Sequence, residues 1–172
     1  MKKIFSVLSL VLITFTINAQ DKNADVKLPN QWAMINNFAL KGPNGEVIIN
    51  LPAPAAMVCT IVRSGEAKNL FTWHSSMTKE FAPDNYDVTF WNIKIPVVVE
   101  KGKDTRILSG ILNSTVKGLW EVWTGDSVKV FSAGSPKMVA LPVGKYIIKT
   151  AGTAIKTTIN DGQVTIFSFT AY

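Results

Sequence analysis

The chain has one cysteine and one histidine in 172 residues, and these two scarcities exclude much of the chemistry a small protein can carry. Cys59 has no second thiol, so an internal disulfide cannot form. A lone cysteine is either buried as a small apolar group or joined to another molecule, and Met57, Val58, Ile61 and Val62 around it favour burial. Zinc requires several His or Cys ligands and calcium a cluster of carboxylates; His74 and Cys59 stand apart and the acids are scattered, so neither a metal nor any cofactor is expected. A glycine loop able to cradle phosphate is also missing.

His74 beside Ser75 and Ser76 invites a nucleophile-and-base reading. No glycine elbow surrounds either serine, and Ser75 recurs 60 positions later as Ser135 with no histidine near it. Glu46, Glu66, Glu80, Glu100 and Glu121 could supply the paired carboxylates of a glycoside hydrolase, but nothing in their spacing brings two into one cleft. The chain therefore reads as a non-enzyme.

Basic runs are lacking too. The lysines are dispersed and do not alternate with aromatics, so nucleic acid is not an expected partner. One long apolar run exists, at the N-terminus, where Lys2-Lys3 precede residues 4–17 and Ala19 offers a small exit residue. That is the pattern of a secretory signal peptide over residues 1–19, with Gln20 as the new first residue; a retained anchor is the competing reading. The run is short for a bilayer span and no later stretch reaches that length, so no membrane span is expected once the signal is removed. Loss of Lys2 and Lys3 takes the formal charge from +6 to +4. The expected location is the periplasm or the cell exterior.

Helical periodicity is almost absent, and what replaces it is short alternating runs rich in Val, Ile, Thr and aromatics, broken every eight to twelve positions. The runs fall at 33–40, 47–51, 58–63, 86–91, 93–100, 105–112, 120–123, 127–132, 145–150, 154–159 and 163–171. This pattern predicts an all-β fold of sandwich or barrel type. Asn44-Gly45, Gly125-Asp126 and Asp161-Gly162 supply residues suited to tight hairpins.

The runs also repeat. Val62, Gly65, Phe71, Ser75, Tyr86, Gly102 and Thr105 recur 60 positions later as Val122, Gly125, Phe131, Ser135, Tyr146, Gly162 and Thr165. Leu141-Pro142-Val143-Gly144-Lys145-Tyr146, followed by alternating Val/Ile and then Gly162 and Thr165, resembles the small β-sandwich modules called PEGA domains. It is similar as well to the carboxypeptidase regulatory-like modules of exported bacterial proteins. Pro83, Tyr86, Gly102 and Thr105 match in the earlier copy, where Asp84-Asn85 replace the turn glycine. The resemblance implies two tandem immunoglobulin-like sandwiches in a non-catalytic envelope module used for binding, spacing or display. The signal ending Asn18-Ala19-Gln20 is similar to those of Bacteroidetes bacteria. The expected organisation is a signal peptide (1–19), an N-terminal β segment (20–50), unit 1 (51–112) and unit 2 (113–172). The N-terminal segment reads as a leading hairpin or as a degenerate half unit.

Where the copies differ, function is to be sought. Arg63, Lys68, Asp87, Asp104 and Arg106 become Trp123, Val128, Ile147, Val164 and Ile166, which turns a polar face into an apolar one. Either unit 2 packs that face on unit 1 or on the N-terminal segment, or the face binds an envelope protein. Trp73 and Trp91 suggest an alternative, a carbohydrate-binding module that stacks a polysaccharide on exposed rings, set against ordinary core packing of tryptophan.

Overall fold

A computed structural model describes residues 31–168. The signal peptide, residues 20–30 and the end of the last expected strand (169–171) lie outside the described residues. Within them the protein is all-β, with fifteen strands and no helix. They are β1 (Trp32–Asn36), β2 (Gly45–Ile49), β3 (Cys59–Arg63), β4 (Asn69–Trp73), β5 (Met77–Phe81), β6 (Asp84–Phe90), β7 (Ile93–Val99) and β8 (Lys103–Ile107), followed by β9 (Ser109–Ser114), β10 (Trp120–Thr124), β11 (Lys129–Ala133), β12 (Lys137–Pro142), β13 (Gly144–Thr150), β14 (Thr153–Ile159) and β15 (Val164–Phe167).

The strands form four small sheets, ordered β1-β8-β2-β5, β4-β3-β6-β7, β12-β9-β15 and β11-β10-β13-β14. Strands β2–β8 and β9–β15 carry one wiring diagram twice. In each half the first strand pairs antiparallel with the fourth and parallel with the seventh, and the second strand pairs with the third and fifth. Alternation along the strands puts Val47, Ile49, Ile61, Val88, Ile95 and Val97 of the earlier half into a common apolar cluster with Leu112, Trp120, Val122, Val139, Leu141 and Ile148 of the later.

The recurring residues recur because each closes the same local structure. Tyr86 and Tyr146 donate their phenol O–H to the carbonyls of Ala82 and Pro142, each at 2.8 Å, a tyrosine corner in both halves. Gly102 and Gly162 take φ values of 69° and 65° in the turns before the seventh strand, where a side chain would be strained. Thr105 and Thr165 donate Oγ1–H to the carbonyls of Val98 and Thr158. One expected match is displaced by a residue. Ile61 and Val122 face Phe71 and Phe131, and a bulge follows each of them, so Val122 corresponds to Ile61 rather than to Val62.

Several boundaries also differ from expectation. The run at 105–112 is two strands: Leu108 ends one sheet and Ser109 begins another. The limit at 112/113 therefore cuts β9, and β2, from the expected N-terminal segment, lies between β8 and β5. β1 and β2 are not a hairpin, because β8 separates them. The earlier half carries a longer link between its first two strands, and Ala56 in that link bridges to Val139 of β12. Ala56 N–H donates to Met138 O and Ala140 N–H to Ala56 O, each at 2.9 Å, which ties the two halves together.

Candidate functional site

The residues singled out by the sequence do not share one face. Trp123 of β10 lies directly opposite Ile147 of β13. Lys129 of β11 flanks Trp123 and Lys156 of β14 flanks Ile147, making the row Lys129–Trp123–Ile147–Lys156 across one sheet. Trp123 is half-buried, with Lys149 Nζ 3.8 Å from its ring centroid and its Nε1–H donated to Glu121 at 2.9 Å. Val128 sits nearby in the β10–β11 turn, 46% exposed. Val164 and Ile166 stand on β15, in the β12-β9-β15 sheet. The single apolar face expected from sequence is thus two surfaces, because β13 and β15 belong to different sheets.

Registers define the positions that the two halves share. Glu80, Glu46 and Asp104 form one row across β5, β2 and β8. The corresponding row across β12, β9 and β15 is Ala140, Ile111 and Val164. Three adjacent carboxylates repel one another. Glu46 is pushed above the ordinary carboxylate range by its partial burial and by Asp104 and Glu80, while the Asn37 amide draws it back. Among the described residues no group of three or more His, Cys, Asp or Glu is arranged to hold a metal ion. In the apolar counterpart Ala140 and Ile111 are fully buried, whereas Val164 is 41% exposed and Ile166, which takes the place of Arg106, is 71% exposed. Arg106 is held by Asp161 at 2.8 Å. On the other shared face, Asp87 is buried against Lys94 Nζ at 2.6 Å, and Ile147 replaces it.

The two tryptophans of the carbohydrate reading are otherwise engaged. Trp73 is buried at 2% exposure, edge-on to Phe71 and Phe81. It ends a strand that points it into the core, and its indole ring is not a surface for sugar. Trp91 is half-buried at the junction of the halves. Its Nε1–H donates to Ala140 O at 3.0 Å and its ring packs on Phe131 at 4.8 Å. Its backbone φ of 52° is unusual for so large a residue, and these contacts hold it there. Beside Trp73, His74 is exposed with Nδ1 3.3 Å from Met57 O. Ser75 Oγ turns to Ser76 O, and Ser76 Oγ accepts from Leu51 N–H, so His74 is not paired with either hydroxyl. Cys59 is buried, and burial pushes its thiol up to about 12.

No protein-family model matches the chain, and no curated protein matches it. One solved structure, that of the Bacillus anthracis TIE protein, aligns with 73% of this chain at 13% identity and a TM-score of 0.33. This chain spans about a third of that structure, 33% of its length, and a likeness at this level carries no argument. Among the described residues no helix is long and apolar enough to cross a membrane.

Proposed function

We propose that this chain is an exported, non-catalytic interaction module of the bacterial envelope, built as two tandem small β-sandwiches. It binds a protein partner through the surfaces on which its later half departs from its earlier one, chiefly the one carrying Val164 and Ile166 on β15. The single observation that carries this reading is the contrast at shared positions. Asp87, Asp104 and Arg106 have charged partners or neighbours in the earlier half, whereas Ile147, Val164 and Ile166 replace them, two of them well exposed. A shared fold gives no structural reason for the replacement, and an exposed apolar strip lowers its free energy by being covered. The tandem-sandwich organisation is supported by the duplicated wiring and the two tyrosine corners. Export is supported by Lys2-Lys3 and the apolar run that follows.

The test exploits the repeat. Residues of the earlier half are grafted onto the later one as Ile147→Asp, Val164→Asp and Ile166→Arg, together in one chain. Affinity isolation from the envelope of the source cell should then lose the partner held by the natural chain, with the thermal transition preserved. Equal capture by both chains would rule out both surfaces.

A further inference from the structure

We propose that the free edge of β15 takes up an extended segment of a partner protein as an added antiparallel strand, an inference that rests on the reading of the later half as the partner-binding part. The backbone gives the first reason. Ile111 N–H donates to Gln163 O and Thr115 N–H to Phe167 O. Residues 163, 165 and 167 therefore face β9, and Val164 and Ile166 turn their N–H and C=O groups the other way. In the earlier half the same edge is occupied. β1 runs antiparallel along β8, with Asn37 N–H donated to Gly102 O and Leu108 N–H to Gln31 O. Among the described residues no strand lies beside β15 on that side.

The side chains give the second reason. Free edges are ordinarily protected by charge. Here the covered strand, β8, carries Asp104 and Arg106 outward, and the bare one, β15, carries Val164 and Ile166. β1 also supplies the template for the guest. Trp32 and Met34 stand opposite Ile107 and Thr105, while Ala33 and Ile35 stand opposite Arg106 and Asp104. Phe167 and Thr165 hold the first pair of places in the later half, and Ile166 and Val164 the second. The fitting guest is thus an uncharged strand of about five residues with apolar side chains on both faces, held by main-chain hydrogen bonds and selected by alternate side chains.

The test is amide hydrogen exchange in the full chain, with a synthetic peptide of residues 31–37 as probe. The Val164 and Ile166 amides should exchange far faster than those of Thr165 and Phe167 in the free protein. The peptide should slow them about tenfold or more. Ile166→Pro removes the outward N–H together with the side chain, which an edge strand tolerates, so it should abolish the slowing, whereas Ile166→Ala, which keeps the N–H, should retain it; Thr165 and Phe167 stay protected in both. Amides of Val164 and Ile166 that are already protected in the free chain, whether by residues 1–30 or by a second copy, would overturn the proposal. So would a peptide that slows neither. Partner isolation separates this idea from the broader one. A partner lost with Ile166→Arg but kept with Ile166→Pro overturns strand addition and leaves the interaction surface standing, and a partner kept with both removes both.

Discussion

Replacing Tyr146 by Phe and, separately, Tyr86 by Phe should give unequal losses from two corners of equal geometry. Both phenols donate over 2.8 Å to the carbonyl four residues back. The acceptors differ: Pro142 is buried and Ala82 is exposed. Water can replace the phenol at Ala82 but not at Pro142, where an abandoned acceptor bears its desolvation cost. The expected losses are about 1.5 kcal/mol for Tyr146→Phe and about 0.5 kcal/mol for Tyr86→Phe. The first lowers the melting temperature by roughly 3–6 °C. Urea unfolding of the three proteins at neutral pH measures this. Alkaline pH supplies a second reading. Burial raises the Tyr146 phenol above its ordinary value, so the folded chain keeps that proton to higher pH than the unfolded chain. The stabilisation from the protonated phenol is complete below the unfolded value, about pH 10, and is lost as pH rises beyond it. The gap between wild type and Tyr146→Phe should therefore narrow above about pH 10. Equal losses at the two corners, or a gap indifferent to alkali, would refute the reasoning.

Glu46→Gln should stabilise the chain by about 0.5 kcal/mol at neutral pH, because it removes the repulsion of Glu46 by two like-charged cross-strand neighbours, Glu80 and Asp104, on a partly screened surface. Since the folded Glu46 holds its proton above the ordinary range, wild type recovers on acidification, and urea midpoints of the two proteins should converge as pH falls through the carboxylate range. The Cys59 thiol, fully buried and raised to about 12, should react with a disulfide reagent at neutral pH only when urea unfolds the chain, as followed by absorbance. Gly45→Ala and Gly110→Ala should each cost about 3 kcal/mol in urea unfolding, because an added Cβ would overlap the carbonyl oxygens of Glu100 and Asn160.

Much of the fold is legible in the sequence where residues serve a local structure. Tyr86, Gly102 and Thr105 recur at 60 positions because each closes a turn or corner with partners at the same separation. Gly45 and Gly110 perform one task 65 positions apart, since the longer link through Pro52 and Pro54 lies between Gly45 and β3; a fixed-period comparison does not reveal them. β4, β5 and β12 have no counterpart among the expected strands. β5 reads Met-Thr-Lys-Glu-Phe, polar at its centre, and Lys79 shares the inward face with Met77 and Phe81, where its ammonium covers the ring of Phe71. Leu108 hides a change of sheet within what reads as one strand over 105–112, because the partners on either side are distant in sequence.

The candidate site was legible only as a set of substitutions. Asp87 to Ile147 and Asp104 to Val164 mark real contrasts between equivalent places, but sequence cannot assign them to separate sheets. The burial of Trp73 and the clamping of Trp91 depend on Phe81, Phe131 and Ala140, none of which adjoins them in the chain. The Glu80–Glu46–Asp104 row is invisible for the same reason: antiparallel pairing of β2 with β5 and parallel pairing of β2 with β8 bring together residues from three separate strands.

The central claim, that binding resides where the later half departs from the earlier one, is tested most directly by a photo-crosslinking residue placed in living cells of the source at 147, 166, 87 or 106. The account predicts a common protein adduct from positions 147 and 166, or from 166 alone, and none from 87 and 106. Adducts of equal yield from the equivalent positions of both halves, or from neither, would contradict it.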